Sequence, residues 1–96
     1  MELEFHPEVQ EEVQAAFDWY EEKSLGLGER FLNELDTCFD QISDKPKIHQ
    51  TQIGNIRRCL VRKFPFGILF TKRVDSIFIL AVMHLKRRPY YWLDRT

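Results

Sequence analysis

The sequence predicts an α+β fold of order β-α-α-β-β-β, a helical hairpin packed on one face of an antiparallel sheet. Three observations predict it. Two helical apolar stripes lie in the first half, separated by a glycine-containing turn. Short strand patterns rich in β-branched and aromatic residues fill the second half. The run Ile77 to Leu85 is apolar in both strand registers, with Ile77, Ile79, Ala81 and Met83 on one face and Phe78, Leu80 and Val82 on the other. Such a run is too short for an apolar helix and reads as a strand covered on both sides, hence central in its sheet.

Taken in order, Glu2-Leu3-Glu4-Phe5 alternates and reads as a short first strand. Pro7 then suits a first helical turn, where its missing N–H costs nothing, and Glu8, Glu11 and Glu12 suit the positive end of the helix dipole. Val9, Val13, Ala16, Phe17 and Tyr20 form one helical stripe. Gly26 and Gly28 break the pattern, and a second stripe follows in Phe31, Leu32, Leu35, Cys38, Phe39 and Ile42. Pro46 closes this hairpin. Ile48 to Asn55 is polar and contains Gly54, so it reads as a loop or a frayed strand start. Arg57 to Phe64 reads as a strand with arginines on both faces, which leaves the ligand-facing side undecided. Phe64-Pro65-Phe66-Gly67 reads as a turn or bulge, because Pro65 has no N–H for a ladder. Ile68 to Lys72 is the next strand, joined through Asp75-Ser76 to Ile77–Leu85 as a hairpin.

The 96 residues and their 44% hydrophobic content suit one domain with a single core and exclude a disordered chain. No apolar run is long enough to span a bilayer, and the N-terminal MELEFHPE lacks the features of a signal peptide, so a cytoplasmic protein is expected. Cys38 and Cys59 are expected to be reduced core thiols. His6, His49, His84 and the cysteines show no ligand spacing, so neither a metal nor a cofactor is expected. The formal net charge of −1 hides a dipole. Residues 1–52 carry 13 acidic against 4 basic side chains, and residues 53–96 carry 2 against 10. The basic residues gather at Arg57-Arg58, Arg62-Lys63 and Lys86-Arg87-Arg88.

The residues that follow the apolar run place an imidazole, His84, beside that last cationic group and beside Tyr90, Tyr91 and Trp92. Read along its length, the chain resembles the RelE/ParE superfamily of type II toxin–antitoxin toxins. The resemblance is carried by FHPE at the first helix, WYEE near its end, and LGxxFLxEL in the second helix. It continues with IRR, FPF before a strand, and AVxHxxRxPxYW in the closing stretch. The HxxRxPxxW ending is more similar to the ParE-type plasmid-stabilisation branch than to the RelE branch.

The resemblance implies a cognate antitoxin encoded in the adjacent gene, DNA contact only through the antitoxin complex, and DNA gyrase or the ribosome as target. For a RelE-like ribosome-dependent mRNA endoribonuclease, it implies Arg62 and Arg87 as the phosphate-binding arginines. Tyr90 or Tyr91 would be the terminal tyrosine, with His84 in position as a base. The segment before Arg57 lacks the lysine cluster of such enzymes, and the near-neutral charge does not suit work inside ribosomal RNA. The expectation is therefore a ParE-like toxin that inhibits growth by binding rather than by chemistry. Arg57, Arg58, Arg62, Arg87, Arg88, Tyr90 and Tyr91 are its candidate target- or antitoxin-binding residues. A toxin-like fold kept only as an antitoxin-binding or scaffold module is the remaining reading.

Overall fold

The computed structural model describes residues 1–96. Strand β1 (Glu2–Phe5) leads into helices α1 (Glu8–Lys23) and α2 (Leu27–Asp44), followed by β2 (Gln50–Ile53), β3 (Ile56–Leu60), β4 (Phe66–Lys72) and β5 (Ser76–His84). Short 3₁₀ turns cover Pro46–Ile48 and Leu93–Arg95. The strands form one sheet in the order β1-β5-β4-β3-β2. The expected architecture holds, with two differences in the sheet. Its first strand runs parallel to β5, with Leu3 opposite Ile77 and Phe5 opposite Ile79, while the other pairs are antiparallel. And the segment read as a loop or frayed start forms β2, which pairs with β3 through Gln50–Arg58 and Thr51–Arg57. Because β2 lies at the sheet edge and its residues stay largely exposed, it carries no apolar alternation to betray it.

The helices form where the stripes place them. Val9, Ala16 and Tyr20 of α1 and Phe31, Leu35, Cys38 and Ile42 of α2 are buried against Ile68, Phe70, Ile77, Ile79 and Val82 of the sheet. The turn between the helices is tied by one side chain. The Glu21 carboxylate accepts from the backbone N–H groups of Gly26 and Gly28, both at 2.9 Å, and satisfies donors that open α2. Gly26 has φ +88°, where side chains are strained. Gly28 serves a different end: a Cβ there would meet the Phe17 ring at 2.7 Å. The Gly28→Ala variant is therefore expected to lose roughly 1–3 kcal/mol by overpacking the helix crossing, read by urea denaturation. Stability equal to wild type would show that α1 and α2 move apart freely here, since the Phe17 carbonyl also lies 2.9 Å from that Cβ.

Strand β3 ends at Leu60, earlier than the sequence suggests, and Arg62 to Pro65 form the turn to β4, with Lys63 at φ +69°. The arginine-rich pattern gave no contrast by which to place that end. Phe66 and Gly67, read as turn, are the first residues of β4. In β5 both faces are buried as expected, but the division of residues between them differs. Leu69 pairs with Ala81 and Phe70 with Ile79, which leaves Leu80 as an inserted bulge residue. Leu80 and Ala81 therefore lie together with Ile56, Leu69, Met83 and Trp92 in a second cluster, while Ile79 and Val82 both serve the helical core. Trp92 is 2% exposed and brings the C-terminal segment over this second cluster. Its indole N–H is buried without an acceptor, so it holds that segment by apolar area alone.

Cys38 and Cys59 are both buried and unoxidised, across the α2–β3 contact. A shared thiol hydrogen bond lowers the pKa of Cys38 and raises that of Cys59. Neither thiol is exposed to a ligand.

Candidate functional site

The bulge in β5 frees backbone groups that a regular ladder would have used, and side chains take them up. The Val82 N–H donates to a Glu12 carboxylate oxygen at 3.0 Å, and the Leu80 carbonyl accepts from Arg95 at 3.0 Å. Glu12 is the hub of this arrangement. It also accepts from the Tyr91 hydroxyl at 2.6 Å, from Arg95 at 3.1 Å and from Arg87 at 3.3 Å. Position dictates this role: Glu12 stands beside the apolar stripe of α1, one turn after Glu8, whose carboxylate lies 3.6 Å from Arg95. The Glu12 and Arg95 side chains are 9% and 7% exposed, so their charges are held in pairs as burial requires.

Arg87 rests with its guanidinium carbon 3.6 Å from the Tyr91 ring centre while half of the side chain stays in solvent. Burial, then the hydrogen bond to Glu12, raises the Tyr91 pKa well above the ordinary phenol value. Its proton is thus committed to Glu12. At the end of β5, the His84 ring accepts the Lys86 N–H on Nδ1 at 3.1 Å. In the neutral ring that bond leaves the hydrogen on Nε2, a donor.

These groups border a groove of about 690 Å³. One wall is α1, through Glu12, Ala15, Ala16, Trp19 and Tyr20; the other is formed by Pro65, Phe66, Val82, His84 and Arg87. Its floor is apolar, and Trp19 stands 55% exposed at its side. The Leu85 N–H bonds the Pro65 carbonyl at 2.9 Å, which sets the turn after β5 beside the turn between β3 and β4. Arg62, Lys63, Lys86, Arg87 and Arg88 therefore gather at one end of the sheet.

The candidate residues divide accordingly. His84 and Arg87 share the groove, and Tyr91 reaches it through Arg87 and Glu12. Arg62 is exposed in its turn and does not line the groove. Arg57 and Arg58 point to opposite faces of β3: Arg57 donates to the His49 carbonyl at 2.7 Å, and the Arg58 stem lies over Gly67, which has no side chain to block it. Arg88 and Tyr90 are exposed beyond β5, Tyr90 against Trp92. Sequence reasoning missed Glu12, Trp19 and Arg95. A tryptophan on the polar side of the α1 stripe was the one signal available. No group of three or more histidine, cysteine, aspartate or glutamate side chains is placed to hold a metal ion, and no helix is long and apolar enough to cross a membrane.

Residues 3–89 match the family model of the ParE toxin of the type II toxin–antitoxin system parDE. No curated protein matches the chain. Among solved structures, a chain of the chromosomal ParDE TA system from P. aeruginosa is similar in fold, with a TM-score of 0.65 and 17% identity over 88% of this chain and 95% of that one.

Proposed function

The chain belongs to the ParE family of type II toxin–antitoxin toxins, and from that premise we propose that it arrests growth in the cytoplasm by binding a macromolecular target, DNA gyrase, and is neutralised by an antitoxin from the adjacent gene. The observation that carries a binding rather than a cleaving activity is the commitment of the polar groups around the groove. Acid–base cleavage of RNA needs a free base for the ribose hydroxyl and an acid for the leaving oxygen. The Tyr91 hydroxyl holds its proton in a hydrogen bond to Glu12, and Nδ1 of His84 accepts the Lys86 N–H. Arg62, the other arginine of the nuclease reading, lies in the turn after β3 and outside the groove. What remains available is an apolar surface with Trp19 beside it and a half-exposed, ring-stacked arginine at its rim, the chemistry of an interface anchor.

Purified chain is expected to inhibit gyrase supercoiling without ribosomes present, and primer extension on translated mRNA is expected to show no added cuts. The Arg87→Ala variant should stay within about 1 kcal/mol of wild-type stability, because its ion pair is half in solvent. Its inhibitory potency should nevertheless fall roughly tenfold, the effect of losing a charged anchor. Codon-positioned cuts that vanish in Arg87→Ala would replace gyrase binding with ribosome-dependent cleavage. A folded Arg87→Ala chain of full potency would move the target surface elsewhere.

A further inference from the structure

The edge of β5 is covered only in part. Strand β1 runs beside it as far as Phe5 opposite Ile79, where the His6 N–H takes the Ile79 carbonyl at 2.9 Å. Pro7 then turns the chain into α1, and no strand lies on that side of Leu80 to His84. The direction of each backbone group follows from its partners. The Val82 N–H points away from β4, to Glu12, whereas the Leu85 N–H points towards β4, to Pro65. Strand groups alternate with a period of two. The Val82 carbonyl and the His84 N–H therefore also face the open side. Arg95 and Glu12 cap the first part of this free edge, at the Leu80 carbonyl and the Val82 N–H; beyond them the His84 carbonyl accepts the Arg87 N–H at 3.0 Å, and the Val82 carbonyl and the His84 N–H are left bare.

The bare part runs along the groove. Val82 and His84 line it, with Ala15 and Trp19 facing them from α1. An unpaired strand edge beside an apolar trough is the geometry that accepts an extended peptide, since a helix has no free backbone groups to offer along its length. Charge selects the kind of peptide. Arg87 binds Glu12 through one nitrogen and stays half exposed, so other donors of its fork remain for an incoming acceptor. Lys86 and Arg88 flank it. The one carboxylate lining the groove, Glu12, already accepts from Val82, Arg87, Tyr91 and Arg95. A partner group at this rim is favoured when it is negative.

We propose that a segment of the neutralising antitoxin enters here as a short added strand. It bonds the Val82 carbonyl and the His84 N–H, sets an apolar side chain in the groove against Trp19, and places a carboxylate on Arg87. The inference rests on the reading that a partner polypeptide neutralises this chain.

The test uses the full chain, free and in complex with the product of the adjacent reading frame. In the free chain the His84 amide should exchange quickly, and in the complex it should be protected at least about tenfold, with Trp19 fluorescence shifted to shorter wavelength. Ala15 is exposed on α1, so Ala15→Glu should fold normally. By filling the groove and repelling a carboxylate it should weaken the complex at least about tenfold, and Ala15→Lys, of similar bulk and opposite charge, should weaken it less. Undiminished affinity of a folded Ala15→Glu chain would overturn the proposal. So would Trp19 burial with an unprotected His84 amide, the signature of a docked helix. If the wild-type chain forms no complex at micromolar concentration, the antitoxin reading itself fails, and this inference with it.

Discussion

Replacing Glu12 with alanine is expected to cost roughly 3–5 kcal/mol, a large share of the stability of a domain this size. The loss is not that of one salt bridge. Glu12→Ala strands an Arg95 guanidinium whose side chain is 7% exposed, leaving it the Leu80 carbonyl and a carboxylate at 3.6 Å that is largely in solvent. It also leaves the Val82 N–H without its partner at the bulge and the Tyr91 hydroxyl without its acceptor. Glu12→Gln keeps an amide oxygen for one donor and loses the charge, so it should fall between alanine and wild type. Changing Arg95 to methionine in the Glu12→Leu background should recover part of the loss, because no buried charge is then left unpaired. Urea denaturation measures all of these. A Glu12→Ala chain within about 1 kcal/mol of wild type would show that the C-terminal segment holds its place without the hub.

Much of the fold was legible in the residues, and what was not has definite physical causes. The helices were read from their stripes because each buries one face, and burial of one face is what periodicity records. Strand β5 was read as central because it is apolar on both faces, but that same uniformity hid its bulge. Every residue near Leu80 is apolar, so no register shift disturbs the pattern. Strand β2 escaped for the opposite reason, being exposed on both faces. The end of β3 was lost among alternating arginines, whose long stems cover apolar surface while their charges stay in water.

The site was legible only by halves. The closing stretch announced His84, Arg87 and Tyr91 by type, yet the group that organises them is Glu12, 70 residues before Val82 and 79 before Tyr91. At the start of a helix an acidic residue reads as dipole complementation, and only the tertiary path of the C-terminal segment gives it another role. The charge dipole along the chain has a related structural outcome. The acidic half is mostly the helical hairpin, and part of the basic half gathers at the turns at one sheet end, with the groove between α1 and that end.

Ile79→Ala is expected to lose roughly 2–5 kcal/mol, and Leu80→Ala to lose a similar amount by a different route. Both side chains are 0% exposed and adjacent in sequence, so strand alternation sends them to opposite sides of the sheet, and the bulge keeps Ala81 on the side of Leu80. Ile79 belongs with Val9, Phe31 and Phe70 in the helical core, so its truncation opens a cavity beneath the hairpin. Leu80 belongs with Trp92 and Met83, so its truncation undercuts the C-terminal segment. Total stability alone will not separate them; local opening will. Leu80→Ala should release Trp92, seen as a red-shifted fluorescence component and faster proteolysis beyond Lys86, while the helical amides keep their protection. Ile79→Ala should leave the C-terminal segment in place until the chain unfolds as a whole, with amide protection lowered first in α1 and α2. If Leu80→Ala instead loosens the helices and leaves Trp92 buried, then Leu80 faces the hairpin and not the cluster with Trp92 and Met83.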